Sequence, residues 1–237
     1  MSISSYPDSA LPGPVVLIID DHELVATSLA ITLRAAGLQA HRHTVRSRDS
    51  VLAAAATLQP GVALLDLDLG RDPDGTRIDG TTLVGGMCRA GWRVLALSGS
   101  SDEARIGRAL ACGALAGIPK SAALPVLVAA VRRAAQGVDV MHPERRQQLI
   151  ETHLREMDRG RSLGRQLDTL SARERAVLER LARGRRAQSI ADEFVVSVTT
   201  VRTQIRAILG KLDVGSQLEA VSLFHEYEQA IHVRSSR

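Results

Sequence analysis

The sequence predicts an α/β fold, a doubly wound five-stranded parallel sheet, joined to a small all-α unit of four helices. Three observations predict it. Short apolar runs alternate with helix-period segments as far as residue 137, a polar stretch of mixed charge follows, and beyond it only helical patterns remain. Strands linked through helices make a parallel sheet covered on both faces, and buried strands of that kind read as continuous Val/Ile/Leu runs.

The elements follow in order. Residues 1–14 are rich in Ser, Pro and Gly and read as a loose tail, without the charged and apolar regions of a signal peptide. VVLIID (15–20) is the first strand and ends in Asp20 and Asp21. LVATSLAITLRAAG (24–37) has helical spacing and a closing glycine. VALLDLD (62–68) is the third strand, carrying Asp66 and, one leucine later, Asp68. RVLALSG (93–99) is the fourth, with Ser98 at its end, and the helical DEARIGRALACG follows it. ALAGIP (114–119) is the fifth and runs straight into Lys120, before a helix over residues 121–137. Residues 138–166 carry only a sparse apolar stripe and read as a partly helical linker, so the domains are expected at 15–137 and 167–237.

Composition narrows the function classes. A chain of 237 residues accommodates two ordinary domains. With five aromatic residues, its cores must be built from Leu, Val, Ile and Ala. Residues 15–136 carry 13 basic and 11 acidic side chains, whereas residues 161–237 carry 13 and 9, and a basic C-terminal part is compatible with nucleic acid. Lys120 and Lys211 are the only lysines. Two cysteines, Cys88 and Cys112, make neither a disulfide framework nor a zinc site and read as reduced core residues. No apolar run approaches the ~18 residues of a membrane span, so a cytoplasmic protein without membrane contact is expected.

In a parallel sheet the strand ends share one edge, where sites form. That edge collects Asp20, Asp21 and Asp66, whose mutual repulsion in a low-dielectric cleft a divalent cation relieves. Mg2+ prefers carboxylate, water and phosphate oxygens. A phosphoryl group on Asp66 would then be held by the cation, the Ser98 hydroxyl and the Lys120 ammonium.

VVLIIDDHELV, LLDLDL, LALSG and ACGALAGIPK resemble the receiver domain of two-component response regulators, over residues 15–137. The resemblance implies a flavodoxin-like fold in which Asp20 and Asp21 hold Mg2+, Asp66 accepts the phosphoryl group, Ser98 reads it and Lys120 contacts it. It gives the backbone carbonyl of Asp68 a place on the metal and the Asp68 side chain a lesser role. The chain departs from the family at three points. The aromatic residue usual three positions before the lysine is Gly117, and the proline usual four positions after the phosphoacceptor is Gly70. The family's Asp-Gly becomes Asp79-Gly80, delayed by roughly six residues within RDPDGTRIDG, an acidic, Gly-rich loop beside the pocket.

In the C-terminal part, LSARERAVLERLARG opens with a capping box, Ser171 and Glu174, and Gly184 ends that helix. AQSIADEF is a short second helix, and Ser197 caps a third, VTTVRTQIRAILGKL. Val201, Ile205, Ile208 and Leu212 form its buried stripe, leaving Thr199, Arg202, Thr203, Arg206 and Gly210 opposite. A cationic face with hydroxyls and no carboxylate suits phosphates and base edges in a major groove. A last helix starts at a second capping box, Ser216 and Glu219. LSARERAVLERLARG, IADEF and SVTTVRTQIRAILGKL resemble the LuxR-type helix-turn-helix domain of the NarL/FixJ response regulators, over residues 167–230. By that resemblance Thr199, Arg202, Thr203, Arg206 and Lys211 are the DNA-binding set. The turn from Arg185 to Gln188 departs from the family's small-polar turn and would add phosphate contacts; the helix with Leu218, Val221 and Leu223 is the family's usual dimer surface, and ordinary core packing explains those residues equally well.

The reading that follows is a non-enzymatic transcription regulator. A sensor histidine kinase phosphorylates Asp66, and a homodimer binds double-stranded promoter DNA, with RNA polymerase as a further partner. Gly117 and the insertion motivate an alternative, a regulator that does not need phosphate. The DxD at Asp66 and Asp68 alone would also suit a magnesium-dependent phosphohydrolase. Those enzymes place DxD on the first strand and the acid pair late, and here that order is reversed.

Overall fold

The computed structural model describes residues 13–99 and 102–235. The expected tail lies outside the described residues, apart from Gly13 and Pro14. The chain forms two compact units that divide between His153 and Leu154.

The first unit contains β1 (Val15–Ile19), α1 (Glu23–Ala35), β2 (Gln39–His43), α2 (Arg48–Thr57) and β3 (Val62–Asp66). A short pair follows, β4 (Asp68–Arg71) and β5 (Arg77–Asp79), then α3 (Thr81–Arg89) and β6 (Arg93–Ser98). The unit continues through α4 (Glu103–Ala111), β7 (Ala116–Pro119), α5 (Leu124–Ala135) and the start of α6 (Pro143–Leu167). Among the described residues, five strands form a parallel sheet in the order β2-β1-β3-β6-β7. Val16, Ile18, Leu64 and Leu95 pack under α1 and α5. Leu17, Ile19, Leu65 and Val94 face the other way, under α2, α3 and α4. Both faces are thus covered, which is why β3 can be apolar at every position before its aspartate. The doubly wound sheet expected from the sequence is present.

The second unit contains the remainder of α6, then α7 (Ala172–Ala182), α8 (Ala187–Phe194), α9 (Val198–Leu212) and α10 (Gln217–Ser235). Its core joins Leu167, Val177, Leu178, Ile190, Val201 and Phe224. The Ser171–Glu174 capping box forms as expected, and Ser197 Oγ accepts from Thr200 N at 3.0 Å. The box at Ser216 is only half made. Glu219 N donates to Ser216 Oγ, but the Glu219 carboxylate takes Gly215 N at 2.8 Å instead.

Two expectations need correction. The partly helical linker is one helix of 25 residues, and the division between the units falls inside it. Its apolar stripe is sparse because each stretch of α6 packs on a different element. Leu149 joins the sheet core, and an added Cβ on Gly107 of α4 would lie 2.0 Å from Leu149 O. Arg146 donates to the carbonyls of Leu110, Ala114 and Leu115, which closes the end of α4. Further on, Leu167 enters the second core and Gly164 meets the Tyr227 ring of α10. The second correction concerns the cysteines: Cys112 is exposed at the end of α4, and only Cys88 is half-buried, its thiol pushed up by that burial.

The acidic insertion is not an open loop. β4 and β5 pair antiparallel, with Asp68 opposite Asp79. Asp72-Pro73-Asp74-Gly75 makes the turn, closed by Gly75 N to Asp72 O at 2.9 Å, with proline in its favoured second place. Arg77 reaches across to Asp68 at 3.0 Å. Gly80 N then donates to Leu67 O at 3.0 Å, so the chain returns to the spot it left.

Candidate functional site

The sheet edge brings the expected residues together. Asp20 and Asp66 are 3% and 2% exposed, and Ser98 is buried beside them. Lys120 Nζ lies 2.7 Å from Asp66 Oδ2 and 2.8 Å from Asp20 Oδ2. Lys120 N donates to Ser98 O at 2.8 Å, which holds the end of β7 against β6. Asp20 Oδ1 accepts from His22 N at 2.9 Å, and Asp66 Oδ1 from Asp68 N at 3.1 Å. Burial pushes the Asp66 carboxyl up despite the ammonium beside it. Burial alone would lower Lys120, but its bonds to Asp20 and Asp66 outweigh that and hold it above its ordinary value.

The donor set fits a hard cation. Oxygens of Asp20, Asp21 and Asp66 and a ring nitrogen of His22 lie within 4.8 Å of one another. Asp20 Oδ2 is buried, with the Lys120 ammonium 2.8 Å away. One ammonium facing these carboxylates leaves oxygen lone pairs for Mg2+. The Asp68 carboxylate points elsewhere, to Arg77, which holds it below the usual range against the effect of its partial burial. The substitution at residue 70 now has a cause. Gly70 sits at φ +69°, where proline cannot go, and an added Cβ would lie 2.8 Å from Asp21 Oδ2.

A second set of charges adjoins this pocket, and sequence reading missed it. Asp79, at the end of the hairpin, is 8% exposed. It accepts from Thr81 N and Oγ1, at 3.0 and 2.9 Å. It also pairs with Arg108 at 3.0 Å and with Arg105 at 3.3 Å, both on α4. Arg105 donates as well to Leu67 O, the carbonyl next to Asp66. A cavity of about 350 Å³ is lined by Asp66, Leu67, Ser98, Arg105 and Lys120. The available signal was two arginines three apart on the helix that follows Ser98. Beside Arg105, Ile106 fills the room at Gly117, where an added Cβ would lie 2.4 Å from Ile106 Cγ2.

In the second unit, Thr199, Arg202, Thr203, Arg206 and Gly210 are all exposed on α9, opposite buried Val201, Ile208 and Leu212. Ile205 is only half-buried. Among the described residues no ion pair engages Arg202 or Arg206. Thr203 Oγ1 donates back to Thr199 O. Val195, left-handed at φ 55° and exposed, makes the turn between α8 and α9. Lys211 differs from the rest of the set: its ammonium lies 2.7 Å from Glu174 Oε2. Lys211, with the Ser171 N–H, holds that carboxyl below its ordinary value. Lys211 thereby ties the end of α9 to the start of α7. On α10 Leu218 is exposed, whereas Val221 and Leu223 are half-buried. No helix among the described residues is long and apolar enough to cross a membrane.

Comparison with known proteins agrees with this division. Residues 16–132 match the family model described as the response regulator receiver domain, and residues 168–224 that of the luxR family of bacterial regulatory proteins. LiaR of Bacillus subtilis, a transcriptional regulatory protein, is 26% identical over 89% of this chain and 96% of its own. VraR of Staphylococcus aureus, a response regulator, is 29% identical over 87% and 93%. A solved RcsB–DNA complex aligns over 90% of this chain and 98% of its own, with 21% identity and a TM-score of 0.49.

Proposed function

The chain belongs to the response regulators that join a receiver to a LuxR-type DNA-binding domain, and on that basis we propose that Asp66 is its phosphoacceptor and α9 its DNA-reading helix. The observation that carries the first part is the buried Asp66 carboxylate 2.7 Å from Lys120 and next to Asp20. Asp66 forms the new P–O bond while the kinase phosphohistidine's P–N bond breaks and its electron pair stays on the imidazole nitrogen. Lys120 and the Ser98 hydroxyl hold the transferred oxygens. Asp20, Asp21, Asp66 and the Asp68 carbonyl would hold Mg2+, which when bound would supply positive charge against the phosphoryl oxygens. The first unit stores the phosphate and does not turn substrate over.

Thr199, Arg202, Thr203 and Arg206 enter the major groove, with Arg185 and Arg186 on flanking phosphates. Lys211 positions α9 through Glu174 rather than reading DNA. A homodimer through the exposed Leu218 surface would match a two-fold operator. RNA polymerase contact and a cytoplasmic location complete the reading. One observation favours a second reading, a regulator independent of phosphate: the place of the usual aromatic switch is filled by Ile106.

A small-molecule phosphodonor with Mg2+ should add one phosphate to the wild type and none to Asp66→Asn, read by intact mass. Arg202→Ala and Arg206→Ala should each weaken promoter binding and lower the salt slope by about 1. A mass shift that persists in Asp66→Asn, or none in either protein, overturns the phosphoacceptor assignment.

A further inference from the structure

A receiver that has lost its aromatic relay still needs a route from the phosphate to a mobile element, and the charges around Asp79 supply one. We propose that Arg105 is the residue that reads the phosphoryl group on Asp66, turning from Asp79 to the phosphoryl oxygens and drawing α4 with it. This rests on Asp66 being the phosphoacceptor.

Position comes first. Arg105 lines the same cavity as Asp66, Ser98 and Lys120, and its guanidinium already bonds the carbonyl of the residue after Asp66. An arginine fork matches phosphate oxygens better than any other side chain and stays charged at every working pH. Next comes the ease of release. Asp79 holds Arg105 at 3.3 Å but Arg108 at 3.0 Å, and it also accepts from Thr81 N and Oγ1. When Arg105 leaves, the buried carboxylate keeps Arg108 and both Thr81 donors, so no charge is stranded. Arg105 therefore exchanges a longer carboxylate contact for a doubly charged group.

The consequence for α4 follows from its neighbours. Ile106, the next residue, occupies the room that a side chain at residue 117 would need. On its other side α4 carries α6, through the Leu149 backbone at Gly107, through Arg146 on its last carbonyls and through a Glu103–Arg145 ion pair. A pull on Arg105 is thus transmitted to the first stretch of α6. The hairpin insertion and the missing aromatic become one adaptation: Asp79 holds in the resting state the group that the phosphate later claims.

The test uses the full chain, with Mg2+ in excess and beryllium fluoride as the phosphoryl mimic, titrated by calorimetry. Arg105→Gln should lose roughly ten- to hundredfold in beryllium fluoride affinity, the usual weight of a hydrogen bond to a charged group. Arg105→Lys should recover part of that loss. Affinity for Mg2+ alone should be unchanged or tighter in Arg105→Gln, because a nearby cation has gone. Asp79→Asn should bind beryllium fluoride more tightly than the wild type, since Arg105 is no longer held back. A purely structural Arg105 would instead make Arg105→Gln and Asp79→Asn weaken together with thermal stability, and that result overturns the proposal. So does wild-type affinity in Arg105→Gln. Should Asp79→Asn not fold, the Gln and Lys variants decide alone. Asp66→Asn, which should bind none, separates the two levels: wild-type binding that survives there sinks the phosphoacceptor reading itself.

Discussion

Gly117→Ala tests how tightly α4 is seated on the sheet. The new Cβ would lie 2.4 Å from Ile106 Cγ2 and 3.4 Å from Ile106 Cβ and Cγ1. Ordinary contact begins near 3.4 Å, so either Ile106 or the helix must give by about 1 Å. A β-branched side chain on a helix has essentially one χ1 rotamer, which leaves Ile106 little room to turn away. Overpacking of this kind costs about 1–3 kcal/mol. Removing a glycine from a strand returns about 0.5–1 kcal/mol. The net expectation is a loss of about 1–2 kcal/mol, or a shift of about 0.5–1 M in the urea midpoint for ordinary denaturant slopes. Trp92 makes a clean probe. It is the only tryptophan, it is buried in the first unit and its indole donates to Ala55 O at 3.0 Å. Its fluorescence therefore follows that unit alone. Ile106→Ala should also destabilise, by about 1–2 kcal/mol for a half-buried isoleucine. The double variant should cost less than the sum by at least about 0.5 kcal/mol, because the added methyl then occupies vacated space. A neutral Gly117→Ala, or strict additivity in the cycle, would refute this packing and with it the claim that Ile106 fills the room at residue 117.

Two further outcomes follow from the same unit. Gly70→Ala should cost about 1–2 kcal/mol, because residue 70 is left-handed, and should also weaken Mg2+ binding by pushing Asp21 aside; calorimetric Mg2+ titration indistinguishable from the wild type would count against the cation site. His153 packs on α4, and burial, then Arg108, holds its imidazole below the ordinary 6.5. Above that value both folded and unfolded chains are neutral there, so the residue adds no pH dependence. As pH falls through it the unfolded chain takes up a proton that the folded one resists, and stability drops. The Trp92-monitored urea midpoint should decline between about pH 7 and about pH 5.5. It should decline less in His153→Gln, with the remaining slope due to His43, which burial and Arg46 also hold low.

Sequence reading recovered what depends on local pattern. The strand ends at Asp20, Asp66, Ser98 and Lys120 were legible because buried parallel strands are uniform and their polar ends stand out. The Ser171–Glu174 box and the face of α9 were legible because capping and the 3.6-residue period act within a few residues. What escaped depends on partners distant in the chain. No strand pattern can show in three or four residues, so β4 and β5 read as a loop, and only their pairing, with Arg77 against Asp68, makes them a hairpin. Glu174 signalled a cap, but nothing local signalled Lys211, 37 residues on. The α6 stripe looked too thin for one helix because its burial is split between two cores. Arg105 and Arg108 carried no decisive signal in the sequence because their carboxylate arrives from an insertion whose path only the fold reveals.

The hydrogen bond from Gly80 N to Leu67 O closes the base of the hairpin on itself. Measured by what the sheet feels, the chain between those two residues has no length at all. Additions or deletions at the Asp74–Gly75 tip can be absorbed without moving β3 or α3. The stem is not equally permissive, since its last residue is Asp79. The insertion thus has a tip open to change and a base held by charge, and a foreign peptide spliced at the tip would sit beside Asp66 without entering the core.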